Sequence, residues 1–398
     1  MSKFLFFNVP TTGHIDPTLP VAAELVQRGH QVDYFLTEAY RKRIEATGAV
    51  FHAYHGIGPD YFDELIQRFN PVRLATQLIE TAEWLTPSLV EAAEQIRPQA
   101  IVYDSMCPWG RICARQSSLP AIASMALLDL PPRYFLKSGE LKPAVAMMAV
   151  GLPWIPRYRR AARAVQKASG VSIPSFVRLL NWPGDHNICY TTPALLPDPN
   201  HFGTDYTFVG PPDLDRVEEI PFPFDELASD RPLVYISLGT IFNKNPHFFR
   251  TCLAALAGQE VQVVVSTGHG LQAEDLELLP ENAIIREYVP QQAILKRASL
   301  FISHSGANSV HHALYQGVPL LMVPQQLEQA QTAARIRELG AGLLLKRGQV
   351  TPELVSQMVQ QLLNDPSFHQ RAAALGEALQ KAGGAPTAAE AIETVVQV

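Results

Sequence analysis

Two runs of alternating strand-like and helix-like segments, separated by one stretch that is neither, leave this 398-residue chain few folds to choose from. In the first half, short apolar runs at 3–9, 32–36, 49–53, 100–103, 120–124 and 187–191 read as strands. Helical spacing of apolar residues marks 16–28, 39–47, 72–96 and 109–117. Such alternation implies a parallel sheet with helices on both faces. From about 203 to 231 the periodicity stops, and "FVGPPDLDRVEEIPFPFDELASDRP" is rich in proline and acids, the texture of a linker. A second series then begins, with strands at 232–239, 261–268, 283–286, 299–304 and 318–324 and helices at 246–257, 307–316 and 328–339. Late helices follow at 351–363, 366–381 and 386–396.

The expected architecture is therefore α/β, with two doubly wound, Rossmann-like domains at 1–205 and 232–385 joined by a linker at 206–231. Length agrees, since single cores stop growing at roughly 250–300 residues. Open α/β sheets bind ligands beyond the carboxyl ends of their strands. Two such sheets facing each other would hold two ligands in one cleft, one per domain.

Composition narrows the partners. Hydrophobic residues make up 47% and charged residues 18%, as in soluble globular chains, and the net charge of −6 argues against nucleic acid as the main partner. No run approaches the roughly 20 apolar residues that span a bilayer. The longest candidate, "PAVAMMAVGLPWIP" (143–156), is short and broken by prolines. No signal peptide is evident at the start. Cys107, Cys113, Cys189 and Cys252 are scattered, with no CxxC and no zinc-like spacing, so reduced thiols and a cytoplasmic location are expected.

The densest chemistry lies in "FISHSGANSVHHALYQGVPLLMVPQQLEQAQ" (301–331). A strand ends at His304, and Ser305-Gly306-Ala307-Asn308-Ser309 opens a helix, whose free N–H groups and positive dipole end suit an anion. Gly306 would let a phosphate approach the backbone, with His304, Asn308 and Ser309 adding donors. An ordinary β-α turn is the bland alternative. "SLGT" (237–240) repeats the arrangement after the domain's first strand, so Gly239 and Thr240 are expected to face the same ligand. "YVPQQAIL" (288–295) could present Tyr288 and a glutamine to a base, although Tyr288 would serve equally as core filler.

In the first domain, "VPTTGHIDP" (9–17) places His14 at the turn between the first strand and the first helix, where many α/β proteins carry a glycine-rich phosphate loop. An imidazole titrates near neutrality and suits a general base. At a helix N-terminus, the dipole would lower its pKa and keep it neutral. Asp104, ending the strand of "IVYDS" in the same sheet, could hold the tautomer, as a carboxylate does in a triad, or simply cap the following turn. Asp16 is better placed as a helix cap. A lone histidine at a turn is most often structural.

"GHIDPTLPVAAELVQRGHQV", "IVYDS", "SLGT" and "YVPQQAILKRASLFISHSGANSVHHALYQGVPLLMVPQQLEQ", in that order, resemble the UDP-glycosyltransferase superfamily, and within it the bacterial macrolide-type branch. The likeness spans most of the chain and is weakest between about 125 and 185. It implies a GT-B fold, with the acceptor on the first domain, the nucleotide-sugar on the second, and the last helix (386–398) packed back on the first domain. It also implies that Tyr288, Val289 and Gln291 hold the base and that His304, Gly306, Asn308 and Ser309 hold the diphosphate. Glu328 and Gln329 would bind the sugar hydroxyls, and His14 would be the catalytic base. Family members using UDP-sugars often carry a glutamate eight residues after the signature histidine, where this chain has His312. Branches using dTDP-deoxysugars manage without it, since their ribose has no 2′-OH. The nucleotide-sugar is then a co-substrate, UDP- or dTDP-linked, and no cofactor or metal is expected.

Other signals are weaker. "DLD" (213–215) matches a metal-binding pattern but falls in the linker. "PRYRRAARAV" (156–165) could be a basic membrane-touching helix, but at this length the solvated face of a charged helix is the expectation. Trp109, Phe135, Trp154 and Phe176 could line a hydrophobic acceptor pocket, or could equally be core.

Overall fold

The structure, a computed structural model, describes residues 1–58, 61, 70–126, 133–212, 220–239, 245–276 and 279–396, without the side chains of Phe135 and Glu274. Thr240 and the "DLD" segment lie outside the described residues.

Thirteen described strands form two wholly parallel sheets. The first holds β1 (Lys3–Phe7), β2 (Gln31–Leu36), β3 (Val50–Ala53), β4 (Ala100–Asp104), β5 (Ala121–Met125), β6 (His186–Cys189) and β7 (Tyr206–Phe208), in the order β3-β2-β1-β4-β5-β6-β7. The second holds β8 (Leu233–Ser237), β9 (Gln262–Ser266), β10 (Ala283–Arg286), β11 (Leu300–Ser303), β12 (Leu320–Met322) and β13 (Gly342–Leu344), in the order β10-β9-β8-β11-β12-β13. Central strands carry continuous apolar runs, "AIVY" in β4 and "VVV" in β9, because both faces are covered. β1, β4, β8 and β11 are buried almost throughout.

Each sheet reverses its winding once, between β1 and β4 and between β8 and β11. These two switch points are where an open α/β sheet leaves a crevice for ligand.

The expected linker begins too early, because Tyr206–Phe208 pairs with β6 as the edge strand of the first sheet. Three aligned residues are too few to give a period that sequence can show. The last helix, Gly384–Val395, buries Ala385, Ala388, Ala389 and Ile392 in the first domain's core. Glu393 fixes it there, accepting from Arg28 Nη1 (2.8 Å) and meeting His30 Nε2 (2.8 Å). Gly384 N donates to Val209 O (2.7 Å), so the two chain crossings between domains are bonded to each other. A second tie links the domains at the helix Leu327–Glu338. Arg335 donates to the carbonyls of Leu195 and Leu196 (2.9 Å each), and Glu338 meets Tyr134 and Lys137.

The segment of weakest family likeness is helical, with Arg133–Ser138, Leu141–Gly151 and Ile155–Ser169 following one another. The last carries "PRYRRAARAV", with Tyr158, Ala161 and Val165 inward and its arginines outward. Among the described residues, no helix is long and apolar enough to cross a membrane.

Candidate active site

A cavity of about 400 Å³ lies between the domains, lined from one side by Gly13, His14 and Ala126 and from the other by Gly239, Tyr288, His304 and the 306–309 helix start. Both walls are the carboxyl ends of strands at the switch points. The walls meet where Asn308 Nδ2 donates to the carbonyl of Gly13 (3.3 Å), and away from the cavity lining Thr191 Oγ1 meets His311 Nε2 (3.1 Å).

On the first-domain wall, β1 runs in register with β4, so Phe7 faces Tyr103 and the two strands end together. Asp104 is thereby carried beside the turn that follows β1. Its Oδ2 lies 2.7 Å from His14 Nδ1, and its Oδ1 accepts from Met106 N (2.8 Å). The carboxylate therefore both caps its own turn and orients the imidazole. With Asp104 accepting the Nδ1 proton, Nε2 keeps its lone pair. Burial pushes the His14 imidazole down, but the charge of Asp104 and its hydrogen bond outweigh this and leave the pKa above the usual value. That corrects the expected lowering. The helix Thr12–Ile15 is a single turn, and Asp104 is what sets the direction. Asp16 is likewise no side-chain cap, and pairs with Arg43.

On the second-domain wall, His304 stands between two glycines. A Cβ at Gly239 would come within 2.6 Å of its Cε1, and one at Gly306 within 2.5 Å of its Nε2. Both glycines thus make room for the imidazole; phosphate access was the reason expected of Gly306. Gly239 also holds φ +76°, which a side chain would strain. Burial pushes His304 down to about 4, only partly offset by a backbone hydrogen bond with Ser237, so it is neutral at physiological pH. Among the described residues, its Nδ1 and the hydroxyl of Ser305 are buried without a hydrogen-bond partner. Ser305 is held at φ +68°, a conformation costly for a non-glycine residue. Unmet polar groups and backbone strain together at an open helix N-terminus suit an anionic ligand.

The base-side residues converge as well. Tyr288 is 47% exposed and lines the cavity with Val289 and Gln291. Gln291 is not idle: its Oε1 accepts from Tyr235 (3.4 Å) and its Nε2 donates to His312 Nδ1 (3.2 Å), which assigns the His312 proton to Nε2. Ser309, Glu328 and Gln329 line the same cavity. Burial raises the Glu328 carboxyl to about 7. Gln329 Oε1 is committed to the backbone N–H groups of Gln325 (2.9 Å) and Gln326 (3.2 Å), fixing the start of its helix.

Of the aromatic candidates, Trp109, Trp154 and Phe176 do not line the cavity. Trp109 is fully buried in the core, its Nε1 donating to Tyr54 Oη (3.0 Å). Trp154 packs under Arg73 and Arg157, and Phe176 lies edge-on to Tyr158. Neither lines the cavity. The side chain of Phe135 is outside the description. Sequence reading also missed Asn8, whose Nδ2 donates to the His14 carbonyl (3.3 Å) and to Tyr34 Oη (3.1 Å). It missed the aligned serines Ser237 and Ser266, which line the cavity beside Ser303. Their signal was present, since each of those three strands ends on serine.

Residues 250–398 match the family described as erythromycin biosynthesis protein CIII-like, C-terminal domain. The NDP-glycosyltransferase YjiC of Bacillus licheniformis is 32% identical over 395 residues, covering 97% of this chain and 96% of that protein. YojK of Bacillus subtilis, named an uncharacterized UDP-glucosyltransferase, is 29% identical over 100% of this chain and 98% of its own. The solved glycosyltransferase of kitacinnamycin superimposes with a TM-score of 0.85 at 26% identity, covering 99% and 98% of the two chains. With these likenesses running the length of a two-domain GT-B architecture, the chain belongs to the UDP-glycosyltransferase superfamily, among the bacterial macrolide and natural-product glycosyltransferases.

Proposed function

We propose that this glycosyltransferase moves a hexose, glucose as the leading candidate, from UDP to a hydroxyl of an apolar small molecule of polyketide, macrolide or phenolic type, with inversion. The observation that carries the reading is the His14–Asp104 pair facing the His304–Ser309 helix start across one cavity. As the acceptor oxygen attacks the anomeric carbon, its proton passes to His14 Nε2. The bond from that carbon to the diphosphate breaks, and its electron pair leaves with the diphosphate. Asp104 stabilises the imidazolium that forms. The helix start and His304 receive the growing negative charge. A base on the face opposite the leaving group gives inversion, as in single-displacement glycoside chemistry.

His312 supports UDP as the base-bearing half. It lines the cavity beside Gln291, and an imidazole can hydrogen-bond a ribose hydroxyl. The same residue favours the second reading, a dTDP-deoxysugar donor, because it lacks the paired acceptors of a carboxylate.

The test is calorimetric titration with UDP and dTDP side by side, followed by transfer from the matching sugar nucleotide to phenolic and macrolide acceptors. Tighter UDP and an inverted glycoside product are expected. Tighter dTDP would move the chain to the deoxysugar reading. Binding of neither nucleotide would leave a catalytically silent relative that assists another transferase.

A further inference from the structure

Residues 133–180 stand apart from the rest of the molecule in two independent respects. They carry nine lysines and arginines against one acid, Glu140, in a chain whose totals are 32 and 38. Among the described residues, they also hold six of the eleven large apolar side chains left exposed: Leu136, Leu141, Val145, Val150, Leu152 and Val177. Exposed apolar residues scattered singly are ordinary, but a concentration of them marks a surface that meets something.

Leu141, Val145, Val150 and Leu152 and the basic residues of 157–167 lie on consecutive helices of the first domain. Helices Leu141–Gly151 and Ile155–Ser169 are joined by the turn Leu152–Trp154, and both pack on the long helix Pro71–Ile96. The first is held there by Asn70 Nδ2 donating to Met147 O (2.7 Å) and by Gly151, where a Cβ would strike Val72. Ala144 and Gly151 are its buried residues, which leaves Leu141 and Val145, at i and i+4, side by side and outward. On the second helix, Tyr158, Ala161 and Val165 face inward. Arg159, Arg163 and Lys167 then form an outward row at i, i+4 and i+8, and among the described residues no carboxylate pairs with them or with Arg160.

We propose that this face docks on an anionic lipid surface, with the apolar helix entering the headgroup layer and the basic helix beside it held by lipid charge. An apolar face next to an unpaired cationic row is the pattern of a helix pair lying in a membrane interface. A protein of net charge −6 would be repelled by such a membrane as a whole, so the basic row has to supply the attraction locally. The docking does not depend on which sugar or acceptor the site takes.

The experiment is co-sedimentation of the full chain, without substrate, with vesicles of phosphatidylcholine alone and of phosphatidylcholine mixed with phosphatidylglycerol. Binding to the mixed vesicles at low salt is expected, with loss at high salt and little binding to the neutral ones. Arg159→Ala and Arg163→Ala should each weaken it about fivefold, since a basic residue near such a surface contributes about 1 kcal/mol. Val145→Asp should weaken it further while leaving UDP affinity unchanged, which also shows that the variant is folded. Absence of binding to mixed vesicles would overturn the proposal, as would equal binding to neutral ones. Self-association that Val145→Asp abolishes, with no vesicle binding, would also overturn it by making a second copy of the chain the occupant.

Discussion

The turns after β1 and after β11 are built alike and end in opposite electrostatic states. Each follows a central strand at a switch point, each carries a histidine, and each opens a helix facing the same cavity. His14 has a buried carboxylate at 2.7 Å and sits above its ordinary pKa. His304 has two glycines around it, an orphaned Nδ1 and a pKa near 4. One imidazole is thereby prepared to take up a proton, and the other to stay neutral and hydrogen-bond an anion without a charge of its own. The partner within reach, more than the residue type, decides the chemistry.

The strongest way to break this contrast is His14→Ala. Transfer to an alcohol should fall about 10³-fold, the middle of the range for general-base catalysis, with nucleotide binding nearly intact in calorimetry. Turnover close to wild type would remove His14 from the mechanism. Asp104→Asn sharpens the contrast, because it should make His14 resemble His304. Activity should drop less than in His14→Ala. With burial left unopposed, the imidazole pKa should fall, so the rising limb of kcat/KM against pH moves to lower pH. A limb that stays in place would contradict the role of Asp104.

Smaller effects are expected on the other wall. His304→Ala should weaken UDP binding about ten- to a hundredfold, the value of a hydrogen bond to a charged group, and by the same factor at neutral and mildly acidic pH. Gly239→Ala should approach that loss by displacing the imidazole, at a stability cost of about 1–2 kcal/mol from its left-handed backbone. The least effect concerns Glu328. Its folded pKa of about 7 lies above the ordinary 4.5, so the unfolded chain ionises first as pH rises. Stability from this group is full below about 4.5 and is lost progressively up to about 7. Glu328→Gln should therefore raise Tm relative to wild type in alkaline buffer and match it in acid. A Tm difference independent of pH would mean that the carboxyl is not held protonated.

Much of this was legible in the chain itself. Apolar periodicity marks every central strand, because a strand covered on both faces must be apolar throughout, and the two series imply two sheets. Motif order, together with family likeness, singled out His14, Asp104 and the 304–309 turn, since each lies in a short motif of its own. Less legible were features set by long-range neighbours. Trp109 looked like a pocket aromatic and is core, because its contact with Tyr54 comes from 55 positions away. Asn8 carried no motif, yet it holds the His14 turn through its carbonyl. The edge strand Tyr206–Phe208 exists only because β6 is beside it to accept pairing.

The sequence by itself determined the two sheets, the order of their strands' motifs and the identity of the facing histidines, because each rests on local patterning of apolar and small residues. Only the tertiary structure decided how readily each of those histidines takes up a proton. A pKa depends on burial and on charges that folding brings within a few ångströms. Asp104 comes to His14 across 90 positions, whereas among the described residues no hydrogen-bond partner comes to His304 Nδ1.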